Sequence, residues 1–217
     1  MPYNNYKKID EVLGEFEVTY AEQNFIEIDE VDVPAYFESE IELTLREGVY
    51  KNSEYALCET LIYPTLREVW KLYKNELLLW SHQPLNYDEN LCGIPDYMVA
   101  KRSPMGKIFL ENPFLIIVEA KKDNFEEGWA QCIAEMIAAQ KINQSVNQNH
   151  SSISTPIFGI VSTGVIWEFA ILDENLGKKH FTKEILIYTI QNLKLLFAAL
   201  RYVFEQSKLQ LVTVSTS

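Results

Sequence analysis

Asp96, Glu119 and Lys121 are the residues of this chain whose types and spacing could do chemistry. Asp96 follows Pro95 at the start of an extended segment, and Glu119-Ala120-Lys121 ends the apolar run Pro113-Phe114-Leu115-Ile116-Ile117-Val118. Alternate residues of a strand point to one face, so Glu119 and Lys121 emerge side by side at the end of a buried strand. With Asp96 on a neighbouring strand, two carboxylates and an ammonium converge. Two carboxylates can hold a hard divalent cation, and such a cation polarises a phosphate and activates water. The pattern therefore predicts metal-dependent phosphodiester hydrolysis.

Those groups need a sheet and helices to position them. Leu77–Trp80 leads into a first extended segment, Ile94–Ala100 forms a second and Phe114–Lys121 a third. The third is apolar on both faces, as expected of a strand covered by helices on both sides. Before them, Asn52 or Ser53 can cap a helix whose apolar positions include Leu57, Leu61, Leu66, Val69, Trp70 and Tyr73, with Pro64 set to kink or divide it. After them, Trp129, Cys132, Ile133, Met136, Ile137 and Gln140 recur at helical spacing over about Glu126 to Asn143. Residues 143–156 read as a polar, mobile surface loop. Ile157–Ser162 and Val165–Leu172 read as a hairpin, followed by a short strand near Ile185–Tyr188 and a helix over about Asn192–Glu205. The fold class predicted is α/β, a central mixed β-sheet flanked by helices in the order α-β-β-β-α-β-β-α.

Residues 1–50 read as an acidic N-terminal leader packed on or near a single domain spanning 51–217. A short helix near Ile9–Phe16 and a strand-like alternation over Phe25–Val33, stopped by Pro34, are predicted within it. Of the net charge of −12, this leader carries 13 acidic and 3 basic residues. The bulk charge weighs against nucleic acid, whose backbone attracts Lys and Arg. Locally the balance reverses, because Lys101, Arg102, Lys107, Lys121 and Lys122 outnumber Glu111 and Glu119 between Tyr97 and Lys122. No stretch reaches the length of a membrane span, and the N-terminus lacks the apolar core of a signal peptide. The cysteines Cys58, Cys92 and Cys132 are scattered without zinc-like spacing, which fits a reducing cytoplasm. His82, His150 and His180 share no ligand spacing and are set aside.

The element order and the Pro95-Asp96 … Glu119-Ala120-Lys121 pattern resemble the PD-(D/E)XK nuclease superfamily, the restriction-endonuclease-like fold. The resemblance is nearest to the N-terminal nuclease domain of type I restriction motor subunits and to uncharacterised cyanobacterial-type relatives. Ile94-Pro95-Asp96-Tyr97, Ile116–Lys122, Gly128–Gln140 and Phe158–Phe169 carry it, within a region from Ser53 to Glu205. It implies a Mg2+ (or Mn2+) site held by Asp96, Glu119, the Ala120 carbonyl and Glu59, the last from the preceding helix. It assigns Lys121 to the attacking water or the transition-state charge, and Gln131 to a place near the metal. A Tyr one turn after that Gln is common in the family; here the chain departs from the pattern, with Glu135 in that place.

The implied activity is DNA cleavage, in restriction and defence or in DNA repair, with a homodimer or a protein partner for the acidic region as further expectations. A nuclease-fold interaction or regulatory protein is the competing reading, favoured by the acid excess. An RNA or single-strand nuclease is a third, although no base-stacking platform is legible.

Overall fold

A computed structural model of the chain describes residues 2–146 and 155–215. The first fifty residues do more than lie beside the core. Helix α1 (Ile9–Glu15) buries Val12, strand β1 (Val18–Glu22) follows, and helix α2 (Ala35–Glu47) buries Phe37 and Ile41. The strand expected at Phe25–Val33 does not form, and residues 23–34 run without regular structure. Their backbone is engaged elsewhere: the Phe25 and Ile26 amides donate to Glu184 Oε2 at 2.8 and 2.9 Å, which removes them from any ladder.

The next helix starts at the predicted cap, with Ser53 Oγ accepting from the Ala56 amide at 3.1 Å. It then changes pitch. Helix α3 (Glu54–Leu57) passes through a π-helical turn at Cys58–Ile62 and resumes as α4 (Tyr63–Trp70). Pro64 has no amide to close the regular helical bond, and the widened turn lies immediately before it.

Strands β2 (Leu77–Ser81), β3 (Leu85–Asn86), β4 (Cys92–Gly93), β5 (Tyr97–Arg102) and β6 (Leu110–Ala120) come next. Helix α5 (Phe125–Val146) crosses to β7 (Ile157–Ser162), which turns into β8 (Ile166–Asn175) and β9 (Lys178–Lys183). Strand β10 (Tyr188–Thr189) and helix α6 (Leu193–Ser215) complete the chain. Of the predicted loop 143–156, Asn143 to Val146 belong to α5, and residues 147–154 lie outside the described residues. The predicted strand at Ile185–Tyr188 keeps only its last residue, because Ile185, Leu186 and Ile187 are solvent-exposed.

Eight strands form the main sheet in the order β1-β9-β8-β7-β6-β5-β2, with β10 also pairing β8. β6–β7 and β1–β9 run parallel and the other pairs antiparallel, so the sheet is mixed. One face packs against α2, α4 and α6, the other against α1 and α5. β6 is buried between these layers: Ile116 and Val118 enter the first core, Phe114 and Ile117 the second. The architecture is α/β, a mixed sheet covered by helices on both sides. No helix among the described residues is long and apolar enough to cross a membrane.

Candidate functional site

The pairing of β5 with β6 sets Tyr97 opposite Val118, which brings Asp96 beside Glu119 at the same end of the sheet. Asp96 Oδ2 accepts the Ala120 amide at 2.8 Å, so its carboxylate is tied to the end of β6. Two residues along one strand face, Glu119 Oε1 accepts from Lys121 Nζ at 2.7 Å. Both side chains are largely withdrawn from solvent, at 7% and 13% exposure. They open onto a cleft of about 730 Å³ between α3, the start of α5 and the N-terminal segment.

Asp96, Glu119, Lys121 and Gln131 meet in this cleft. Glu59 does not: it is exposed and lines no part of it, whereas Glu54 does. Glu54 and Cys58 are four residues apart and share the helix face toward the cleft. Glu59, one residue beyond Cys58, is turned roughly 100° away. The carboxylate on this helix is therefore Glu54.

Gln131 is buried, donates Nε2 to Glu127 Oε1 at 3.2 Å, and leaves Oε1 without a partner. Glu135, one helical turn on, is also buried and leaves Oε2 unpartnered. It belongs to the interior beneath the acidic floor.

Burial dominates the electrostatics. It raises Glu119 to about 8, with the Asp96 charge adding to it and Lys121 pulling the other way. Burial also raises Asp96, against the Ala120 amide and Lys121. Glu54 rises for the same reason, and Glu135 rises well above the carboxylate range through burial and its proximity to Glu119 and Asp96. Burial by itself would lower Lys121, but Glu119, Glu54 and Asp96 outweigh it and hold the lysine above its ordinary value. The cleft thus collects more carboxylate than its single buried ammonium balances.

Two further residues reach the site. His82 Nε2 lies 3.4 Å from Asp96 Oδ1, while its Nδ1 sits 2.7 Å from Ser81 Oγ. Its φ of 51° is a left-handed conformation uncommon outside glycine. Its sequence spacing shows no ligand pattern; the β2–β5 register, Ser81 opposite Tyr97, brings it to Asp96. Lys7 arrives from the N-terminal segment and pairs with Glu127 at 2.6 Å. Gly128 allows the close approach of α5, since a Cβ there would meet Lys121 Cγ at 2.8 Å and Val161 Cγ1 at 2.7 Å.

As to a metal, the excess of carboxylates over ammonium in the cleft and the unpartnered Oε1 of Gln131 suit a hard cation. Among the described residues, no group of three or more His, Cys, Asp or Glu is already arranged to hold one. Lys121 occupies one Glu119 oxygen and the Ala120 amide one Asp96 oxygen. No protein-family model matches the chain, and no curated protein does.

Proposed function

We propose that this protein is a metal-dependent nuclease of the PD-(D/E)XK type that hydrolyses DNA phosphodiester bonds. The observation carrying this reading is the meeting of Asp96, Glu119 and Lys121 in one open cleft at the end of a buried strand. Asp96 and Glu119 would hold Mg2+ or Mn2+, with the Ala120 carbonyl and Glu54 beside them. When bound, the cation supplies a water of lowered pKa and neutralises charge on the phosphate. Lys121, kept protonated by its carboxylate neighbours, is suited to donate to that water or to a developing oxyanion rather than to act as a base. Gln131, whose buried Oε1 has no protein partner, lines the same cleft. His82 steadies Asp96 at its second oxygen.

Calorimetric titration with Mg2+ and Mn2+, alongside plasmid cleavage by wild type, Asp96→Ala and Lys121→Ala, tests the reading. Cleavage lost in both variants, with metal binding lost in Asp96→Ala alone, is expected, because Lys121 is no ligand and already competes for a Glu119 oxygen; equal cleavage by wild type and Asp96→Ala would overturn it. A cytoplasmic role in restriction, defence or repair belongs to the same proposal, and the three free cysteines agree with a reducing compartment.

A second reading, a nuclease-fold interaction or regulatory protein, is favoured by the Glu119–Lys121 pair, which already satisfies the buried carboxylate without metal. It predicts no metal binding in the same titration and a protein partner, or a second copy, on the acidic surface.

A further inference from the structure

The lining of the cleft is chemically mixed around its acidic floor. Tyr55 and Ile94 are 73% and 57% exposed although both line it. Isolated exposed apolar residues are ordinary, but these two come from distant segments, α3 and the turn before β5, and flank the same opening. Lys7 and Lys122, both exposed, line it too. Duplex DNA presents a phosphate charge about every 1.7 Å along its axis, so a duplex-binding surface needs an extended band of cations. Here the lining is Lys7, Lys121 and Lys122 against Glu54, Asp96, Glu119, Asp123 and Glu127, on a chain of net charge −12. One or two phosphates find cations at this opening; a continuous duplex meets acids. A volume of about 730 Å³ falls within the range of pockets that enclose a small ligand.

We propose, on the basis of the hydrolytic reading above, that the cleft takes an unpaired stretch of nucleic acid. One base lies against Tyr55 and Ile94, and the adjoining phosphate is held between Lys7 and Lys122 above Asp96 and Glu119. Stacking on an exposed ring tolerates any base and supplies affinity that the charge balance withholds. Lys7 leaves its pairing with Glu127 to meet the phosphate.

The test is fluorescence anisotropy in calcium with labelled hexathymidylate, hexauridylate and a short blunt duplex. The single strands should bind about tenfold more tightly than the duplex, Tyr55→Ala should lose about tenfold and Tyr55→Phe little, because the ring does the stacking. Lys7→Ala should reduce the salt slope by about one counterion. Preference for hexathymidylate identifies DNA, preference for hexauridylate identifies RNA, and equal binding means that the sugar is not read; each supports the proposal. Duplex binding as tight as single-strand binding, Tyr55→Ala indistinguishable from wild type, or no binding of any probe would overturn it. If duplex cleavage depends on Asp96 but not on Tyr55, this proposal falls and the nuclease reading stands. If metal titration also fails, both fall.

Discussion

Lys121 is the residue on which most of the site's chemistry turns. Its ammonium is the positive charge buried among Glu119, Glu54 and Asp96, and it is held protonated by them. Replacing it with Met should reduce cleavage at least about 100-fold, a typical loss for one oriented donor, while circular dichroism shows the fold retained. The fold survives because Glu119, already raised to about 8, keeps its proton instead of standing as a bare buried charge. Unchanged cleavage by Lys121→Met would remove the lysine from the mechanism. Gly128 acts on the same group from the neighbouring helix. Gly128→Ala places a methyl within 2.8 Å of Lys121 Cγ and 2.7 Å of Val161 Cγ1. Overpacking of this kind costs about 1–3 kcal/mol, to be read from urea melts, and cleavage should fall with it as the lysine shifts.

At the scale of elements, the N-terminal region deserves the name of core rather than leader. β1 pairs with β9 from Val18 opposite Lys179 to Glu22 opposite Lys183, and Tyr3, Tyr6 and Val12 are buried in the core that holds α5. Removing residues 1–22 would strip an edge strand and expose that face of α5. Loss of near-UV circular dichroism and of a cooperative melt is expected; a truncated chain that melts like the full one would show that β1 is dispensable. A network on the same helix is structural: Glu168 Oε2 accepts from Trp129 Nε1 at 2.6 Å and pairs with Lys183 at 2.7 Å. Glu168→Ala leaves that buried indole and the Lys183 ammonium without their acceptor and should destabilise by about 1–3 kcal/mol in denaturant melts, without altering metal affinity.

For the whole molecule, the raised carboxylates set the pH dependence of stability. The folded state holds a proton on Glu119 up to about pH 8, whereas an unfolded chain releases it near the ordinary value of 4.5. Across that window the native state binds more protons, so stability falls as pH rises, by at most about 1.4 kcal/mol per pH unit for one such group. Asp96, Glu54 and Glu135 are raised and act with the same sign. Asp88, Glu111 and Glu127 are lowered by their hydrogen bonds and act oppositely, losing stability only as pH falls through the acid range. Metal-free protein should therefore melt higher near about pH 5 than near about pH 8, and Mn2+ or Mg2+ should raise the melting temperature more at the higher pH, where the cation replaces fewer protons. A melting temperature that is flat across the window, with no response to either metal, would contradict both expectations.

The alternation around Glu119 and Lys121, the two-sided apolar run of β6, the Ser53 cap and the long periodic helix α5 were legible along the chain, because each is a local property with a fixed period or a short-range hydrogen bond. From them followed the α/β class and the expectation that Asp96, Glu119 and Lys121 share a site. What needed the tertiary structure was everything set by register and packing. Glu54 rather than Glu59 faces the cleft because the exposed face of a helix depends on what it packs against. His82 reaches Asp96 through the pairing of β2 with β5, and Lys7 reaches Glu127 across most of the chain's length. The Phe25–Val33 alternation fails to start a strand where Glu184, far along the chain, takes the Phe25 and Ile26 amides. Strand periodicity is written in neighbouring residues; partners that differ by a hundred positions are chosen only when the sheet closes.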